Sequence, residues 1–145
     1  VRVHIHSLHQ PLVESAIPGG RRNGGAGSSV AVVTGEIDSA VLANFTSGLD
    51  RAIDEAIGTL LVDLSQVDFM SVSGARALVD AHRRAEQCGV AMLIASEGPS
   101  SRTLAVTGID CVLRCYPTVR DALEARRTEL SAHVDLDRSA TFQTR

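Results

Sequence analysis

The chain has 145 residues, 44% of them hydrophobic and 21% charged, and a formal net charge of −3. That is enough chain for one domain with a real core and no disulfide or metal staple. The slight acidity excludes a general nucleic-acid binder. The longest apolar run, Val90 to Ala95, falls far short of the ~20 residues of a membrane span.

Three cysteines (Cys88, Cys111 and Cys115) give no even-numbered disulfide framework, and no basic-then-apolar segment opens the chain. The expectation is a reduced, cytoplasmic protein. All fourteen basic residues other than histidine are arginine, and the aromatics are only Phe45, Phe69, Tyr116 and Phe142. So few aromatics weaken any case for stacking on bases or sugars.

Residues 1–29 read as an N-terminal strand and a flexible loop. Val1-Arg-Val-His-Ile-His6 alternates apolar with polar, a weak strand pattern suited to antiparallel pairing at a sheet edge. Pro18 to Ser29, rich in Gly, Ser and Asn, is a loop by composition. Residues 30–132 form the domain body. Val30–Gly35 predicts a strand. Asp38 suits a helix cap, and Leu42, Phe45, Leu49, Ile53 and Ala56 follow at helical spacing up to Gly58. Thr59–Leu64 is nearly all apolar, as in a central buried strand.

A second helix is predicted from Ser71–Ser73 to Gly89, with Ala77, Leu78, Ala81 and Ala85 inward and Arg76, Asp80, Arg83 and Arg84 outward. Val90–Ile94 is the next buried strand, and Pro99 opens a short helix ending near Gly108. A short strand is expected at Val112–Cys115. The last helix runs from Thr118 to Ala132, with Val119, Leu123 and Leu130 inward, and residues 133–145 form a polar tail. Strands alternating with helices make this an α/β fold.

Most candidate sites fail on detail. The Gly-rich loop lacks the lysine of a P-loop and precedes a strand instead of following one. His4, His6 and His9 have no carboxylate or cysteine nearby and read as a solvated face, so no metal is expected. Cys111 and Cys115 read as small buried apolar residues. His82 sits mid-helix, and no Gly-x-Ser-x-Gly elbow exists, so hydrolase chemistry has no nucleophile–base pair. Arg76, Asp80 and Arg84 follow each other at i, i+4 spacing, either as a mutually paired solvated face or as a partner surface.

Phe69-Met-Ser-Val-Ser-Gly74 is the remaining feature. It leaves a buried strand and opens a helix, where free N–H groups and the macrodipole favour added negative charge. Ser71 or Ser73 is there either the helix cap or a place where a phosphoryl group would be tolerated.

Three segments in order resemble the STAS domain, the module of sulphate transporters and anti-sigma-factor antagonists. Gly35-Glu-Ile-Asp38 resembles the family's Gly-Glu-Leu-Asp at a strand end. Val62-Asp-Leu-Ser-Gln-Val-Asp-Phe-Met70 resembles the approach to its regulatory serine. Leu104-Ala-Val-Thr-Gly-Ile-Asp110, with Val112-Leu113 and Val119-Arg-Asp-Ala-Leu123, resembles its closing run. The resemblance spans about Val30 to Leu123. It implies a mixed β-sheet with helices packed mainly on one face, no catalysis and no cofactor. Small cytosolic members bind an anti-sigma factor, often of serine-kinase type, and so release a sigma factor to RNA polymerase. Phosphorylation of a serine at the start of the second helix blocks binding.

By this resemblance the partner surface comprises Glu36, Asp38, Phe69, Ser71, Val72, Ser73, Gly74 and Arg76. The family reads Asp-Ser-Ser-Gly or Asp-Ser-Thr-Gly at the switch; this chain reads Ser71-Val72-Ser73-Gly74, which puts the acceptor position on Val72. Ser73, and after it Ser71, are the fallback acceptors. The leading expectation is an anti-sigma-factor antagonist with a protein partner, neither nucleic acid nor membrane, and an open oligomeric state. The alternative is a ligand-sensing or transporter-associated STAS module.

Overall fold

The computed structural model describes residues 1–8 and 27–142. Five strands form one mixed sheet in sequential order: β1 (Arg2–Leu8), β2 (Ser28–Ile37), β3 (Thr59–Met70), β4 (Ala91–Ala95) and β5 (Cys115–Tyr116). β1 pairs antiparallel with β2, placing Val3 opposite Val33 and Ile5 opposite Ala31. The other pairings are parallel, with Val30 beside Leu61 and Leu61 beside Leu93. Among the described residues four α-helices complete the fold: α1 (Leu42–Glu55), α2 (Val72–Gln87), α3 (Pro99–Val106) and α4 (Val119–Phe142).

Strand alternation sends successive side chains to opposite faces. Ala31, Val33, Leu60, Val62, Leu64, Met92 and Ile94 point to one face, where they meet Phe45, Leu49 and Ile53 of α1, Leu78 and Ala81 of α2 and Leu104 of α3. The other face is thinner: Val30, Leu61, Leu93 and Ala95 pack on Ala122 of α4. Three helices therefore cover one face, and α4 alone lies on the other. Two-sided burial explains why β3 and β4 are nearly continuous apolar runs.

Several sequence expectations shift. β2 begins at Ser28, so the Gly-rich loop stops short of Ser29; Pro18 to Ala26 lie outside the described residues. β3 continues past Leu64 to Met70, its second half hidden by Ser65, Gln66 and Asp68. There its register against β2 slips between Val32/Thr34 and Gly35/Glu36, which breaks the period-two pattern. The last strand is Cys115–Tyr116, and residues Ile109–Cys111 form a 3-10 turn. Cys111 is exposed rather than buried because it rides on that turn. Cys115 is partly buried, and desolvation pushes its thiol up to about 11.

α4 runs on to Phe142, since no Gly or Pro interrupts the segment after Val119. Its buried residue is Ala122; Val119 and Leu123 are half-buried and Leu130 is exposed. A small residue lets the helix lie close over the narrow β3–β5 strip. Polar ties hold it there: Arg126 Nε donates to Thr59 Oγ1 at 3.1 Å, and Arg114, just before β5, pairs with Glu129.

The docking of β1 has a single-residue test. A Cβ built on Gly48 of α1 would lie 2.7 Å from Val3 Cγ2 and 3.0 Å from Val3 Cβ. Helix propensity alone makes Gly→Ala favourable by about 1 kcal/mol. The stiff, β-branched Val3 cannot turn away, and overpacking costs about 1–3 kcal/mol. Gly48→Ala is therefore expected to destabilise in urea unfolding, and adding Val3→Ala to remove the obstructing methyls should recover most of that loss.

Candidate functional site

The carboxyl ends of β2 and β3 and the first turn of α2 meet at one end of the sheet. Glu36 lies beside Phe69, and Ile37 beside Met70, across the parallel pair. Just before this pairing β3 carries an extra residue, Asp68, opposite the step from Gly35 (φ +100°) to Glu36. The chain then turns sharply. Ser71 N–H donates to Ile37 O at 2.8 Å, tying the entry of α2 to the end of β2.

Ser71 is the N-cap of α2. Its backbone is extended (φ −75°, ψ 162°) and its Oγ accepts from Gly74 N–H at 3.1 Å. Of the two roles open to this hydroxyl, the structure shows capping. Asp38 is likewise a cap: its Oδ1 accepts from Ala40 N–H at 3.0 Å and Val41 N–H at 3.1 Å, starting the 3-10 turn that leads into α1.

Gly74 is buried, and the position has no room for a side chain. A Cβ there would sit 2.7 Å from Ile37 Cγ2 and 3.4 Å from Met70 Cγ. The start of α2 therefore presses directly on the fully buried Ile37.

From this pinned turn two apolar side chains project. Phe69 is 49% exposed and Val72 is 50% exposed. Glu36 is exposed beside Phe69. Ser73 is also exposed but lines a different surface, the open groove of about 380 Å3 between α1 and α2. Arg76 lines that groove too. The structure thus brings Glu36, Phe69, Ser71 and Val72 to one end of the sheet. Asp38 is nearby as a cap, Gly74 lies beneath as the contact point, and Ser73 and Arg76 continue into the groove.

Of the two readings of Arg76, Asp80 and Arg84, the mutual i, i+4 pairing does not form. Arg84 reaches instead to α1, with Nη1 2.7 Å from Asp50 Oδ1 and Nη2 2.8 Å from Asp54 Oδ1. Those carboxylates raise its pKa further. The signal for this clasp was available: Asp50 and Asp54 sit one turn apart on α1, both able to face a cation from a neighbouring helix.

Sequence reasoning also missed the ties from α3. β4 pairs with β3 only from Thr59 to Asp63, leaving the rest of β3 without a neighbour on that side. Ser100 Oγ donates to Leu64 O at 3.2 Å and Thr103 Oγ1 to Met70 O at 2.9 Å. Hydroxyls of α3 thus satisfy carbonyls that a longer β4 would have engaged. Among the described residues no three His, Cys, Asp or Glu side chains gather as a metal site, and no helix is long and apolar enough to cross a membrane.

The family model described as "STAS domain" matches residues 22–122. An anti-sigma factor antagonist from Mycobacterium paratuberculosis is 28% identical, with 69% of this chain and 86% of that one covered, at a TM-score of 0.60. The STAS domain of a SulP transporter from Vibrio cholerae is 26% identical, covering 70% and 81%, at 0.54. A sulfate transporter family protein from Wolinella succinogenes shares the fold at 18% identity, covering 70% and 86%, at 0.58. No curated protein matches the sequence.

The close approach at the site gives its own test. Gly74→Ala forces a methyl against Ile37, and relief would need α2 to lift from the sheet end. The expected loss is about 1–3 kcal/mol of stability in denaturant unfolding. Ile37→Val, which trims the opposing side chain, should soften the loss in the double variant.

Proposed function

The chain belongs to the STAS domain family, and on that premise we propose that it is an anti-sigma-factor antagonist, a cytoplasmic binding module without catalysis or cofactor. It would capture an anti-sigma factor and so free a sigma factor to regulate transcription. The observation that carries this reading is the pair of half-exposed apolar side chains, Phe69 and Val72, on a turn that the Ser71–Ile37 bond holds rigid. Few residues carry most of the energy of an interface, and apolar side chains presented on a held backbone lose less freedom on binding. Glu36 beside Phe69 offers a carboxylate to a basic group on the partner. The 28% identity to an anti-sigma factor antagonist supports the same reading.

Regulation departs from the family pattern. Position 72, the usual acceptor, is valine and has no oxygen to phosphorylate. Ser71 Oγ is engaged as a cap, and Ser73 is rotated by about 100° into the α1–α2 groove. Phosphoryl transfer depends on near in-line placement of the acceptor. Binding is therefore constitutive in this reading, controlled by abundance or by a signal other than the usual phosphorylation.

A second reading, a transporter-associated module, is favoured by the 26% identity to the SulP STAS domain. Co-purification with washed membranes, lost in detergent, would replace the leading reading by this one.

Binding is tested with purified anti-sigma factors from the same genome by calorimetry. One of them should bind the wild-type chain, and Phe69→Ala and Val72→Asp should each weaken it about tenfold or more. Failure of every anti-sigma factor to bind would reject the proposal.

The switch is tested with a kinase-type anti-sigma factor and ATP, followed by phosphopeptide mapping. Wild-type protein should take up no phosphate, and Val72→Ser should become phosphorylated at the new hydroxyl. Stoichiometric phosphate on Ser71 or Ser73 that abolishes binding would overturn constitutive control.

A further inference from the structure

Arg76, Asp80 and Arg83 are exposed on α2, and none of them makes an ion pair among the described residues. The order explains why Arg76 and Asp80 leave each other alone: a cation N-terminal to an anion at i, i+4 is the weaker arrangement. With Ser73 they form a stripe at positions 73, 76, 80 and 83, alternately three and four residues apart, the spacing of a helix–helix seam. Arg84 is not free to neutralise Asp80, because Asp50 and Asp54 hold it.

This stripe is complementary to itself. Consider two α2 helices antiparallel across a two-fold axis at the level of residue 78. Position 76 of each then lies opposite position 80 of the other, and position 73 opposite position 83. Both Arg76–Asp80 contacts form at once, and each Ser73 hydroxyl accepts from the opposing Arg83. A two-fold interface requires this kind of self-match. The groove beside the stripe gives the second helix a seat, with the small side chains Ala77 and Ala81 on its lining.

We propose that two copies of this chain pair α2 against α2 through this stripe. The contact is largely polar and exposed, so the dimer is weak and salt-sensitive. It does not depend on the anti-sigma reading, although the stripe begins at Ser73, the residue after Val72 of that surface.

The test is sedimentation velocity on the full chain, without any partner, across a concentration series at low and high salt. A monomer–dimer equilibrium is expected, shifted toward monomer by salt. Arg76→Asp and Asp80→Arg should each weaken it at least about tenfold, since each reversal sets like charges opposite one another. Mixed in equal amounts, these two variants should associate with each other, because two acids on one stripe then meet two arginines on the other. The double variant Arg76→Asp/Asp80→Arg should dimerise as the wild type does. Circular dichroism checks that each variant is folded. A chain monomeric at every accessible concentration overturns the proposal. So does a dimer indifferent to both reversals, which would place the contact elsewhere, for example at the free edge of β1. Loss in both single variants without recovery in the mixture or the double variant would also overturn it.

Discussion

The hydrogen bond from Ser71 N–H to Ile37 O, with the bare backbone of Gly74 against the Ile37 side chain, fixes everything presented at this end of the molecule. The bond joins the last residue of β2 to the cap of α2. The glycine lets the helix come closer to the sheet than any side chain would permit. A helix start held at two points this near together has little freedom to tilt. The backbone that carries Phe69 and Val72, flanking the cap, inherits that rigidity, and in the proposed reading it needs no further ordering on binding.

The same end of the sheet depends on a mismatch of strand lengths. β3 has 12 residues and β4 has 5. Past Asp63 the carbonyls of β3 face no strand on one side. An open edge of that kind invites foreign pairing, and covering it with a helix is one of the standard protections. α3 does so chemically as well as sterically, through Ser100 and Thr103. The long arm of β3 can therefore reach out to carry Phe69 with the carbonyls of Leu64 and Met70 satisfied from α3.

How much of this was legible in the residues follows from the range of each interaction. The helices and buried strands were plain because their apolar periodicity is local, and Asp38 was rightly read as a cap because capping spans three residues. Where packing on one face was not periodic the reading slipped. The strand was ended at Leu64 because a bulge breaks the alternation of its second half. α4 was cut short because residues 133–145 read as a polar tail, although no Gly or Pro in them stops a helix. The Arg84 clasp was missed because its partners are 30 and 34 residues away, on another helix, and local spacing offered Asp80 instead. Within the site, Phe69 to Gly74 stood out as a strand-to-helix junction, but its meeting with Glu36 was reached only through family resemblance. The meeting of two strand ends is a property of register, which no single segment encodes.

Position 72 shows how scaffold and chemistry can separate. The first turn of α2 keeps what a phosphoryl group would want: backbone N–H groups without intrahelical partners, the positive end of the macrodipole, and Ser71 as a cap that consumes only the N–H of Gly74. None of this depends on the side chain at 72, which points outward and is half exposed. Val72 is not one of the buried core residues, so the side chain at this position is not part of what holds the fold together. Exchanging a hydroxyl for a valine there does change what the surface can do. A serine at an interface supplies a small hydrogen-bonding contact that can be cancelled by a dianion. A valine supplies apolar area that cannot be switched off by any charge. In the proposed reading, the chain keeps the geometry of a regulated contact and replaces its regulation with a permanent hydrophobic one, a change confined to a single exposed side chain.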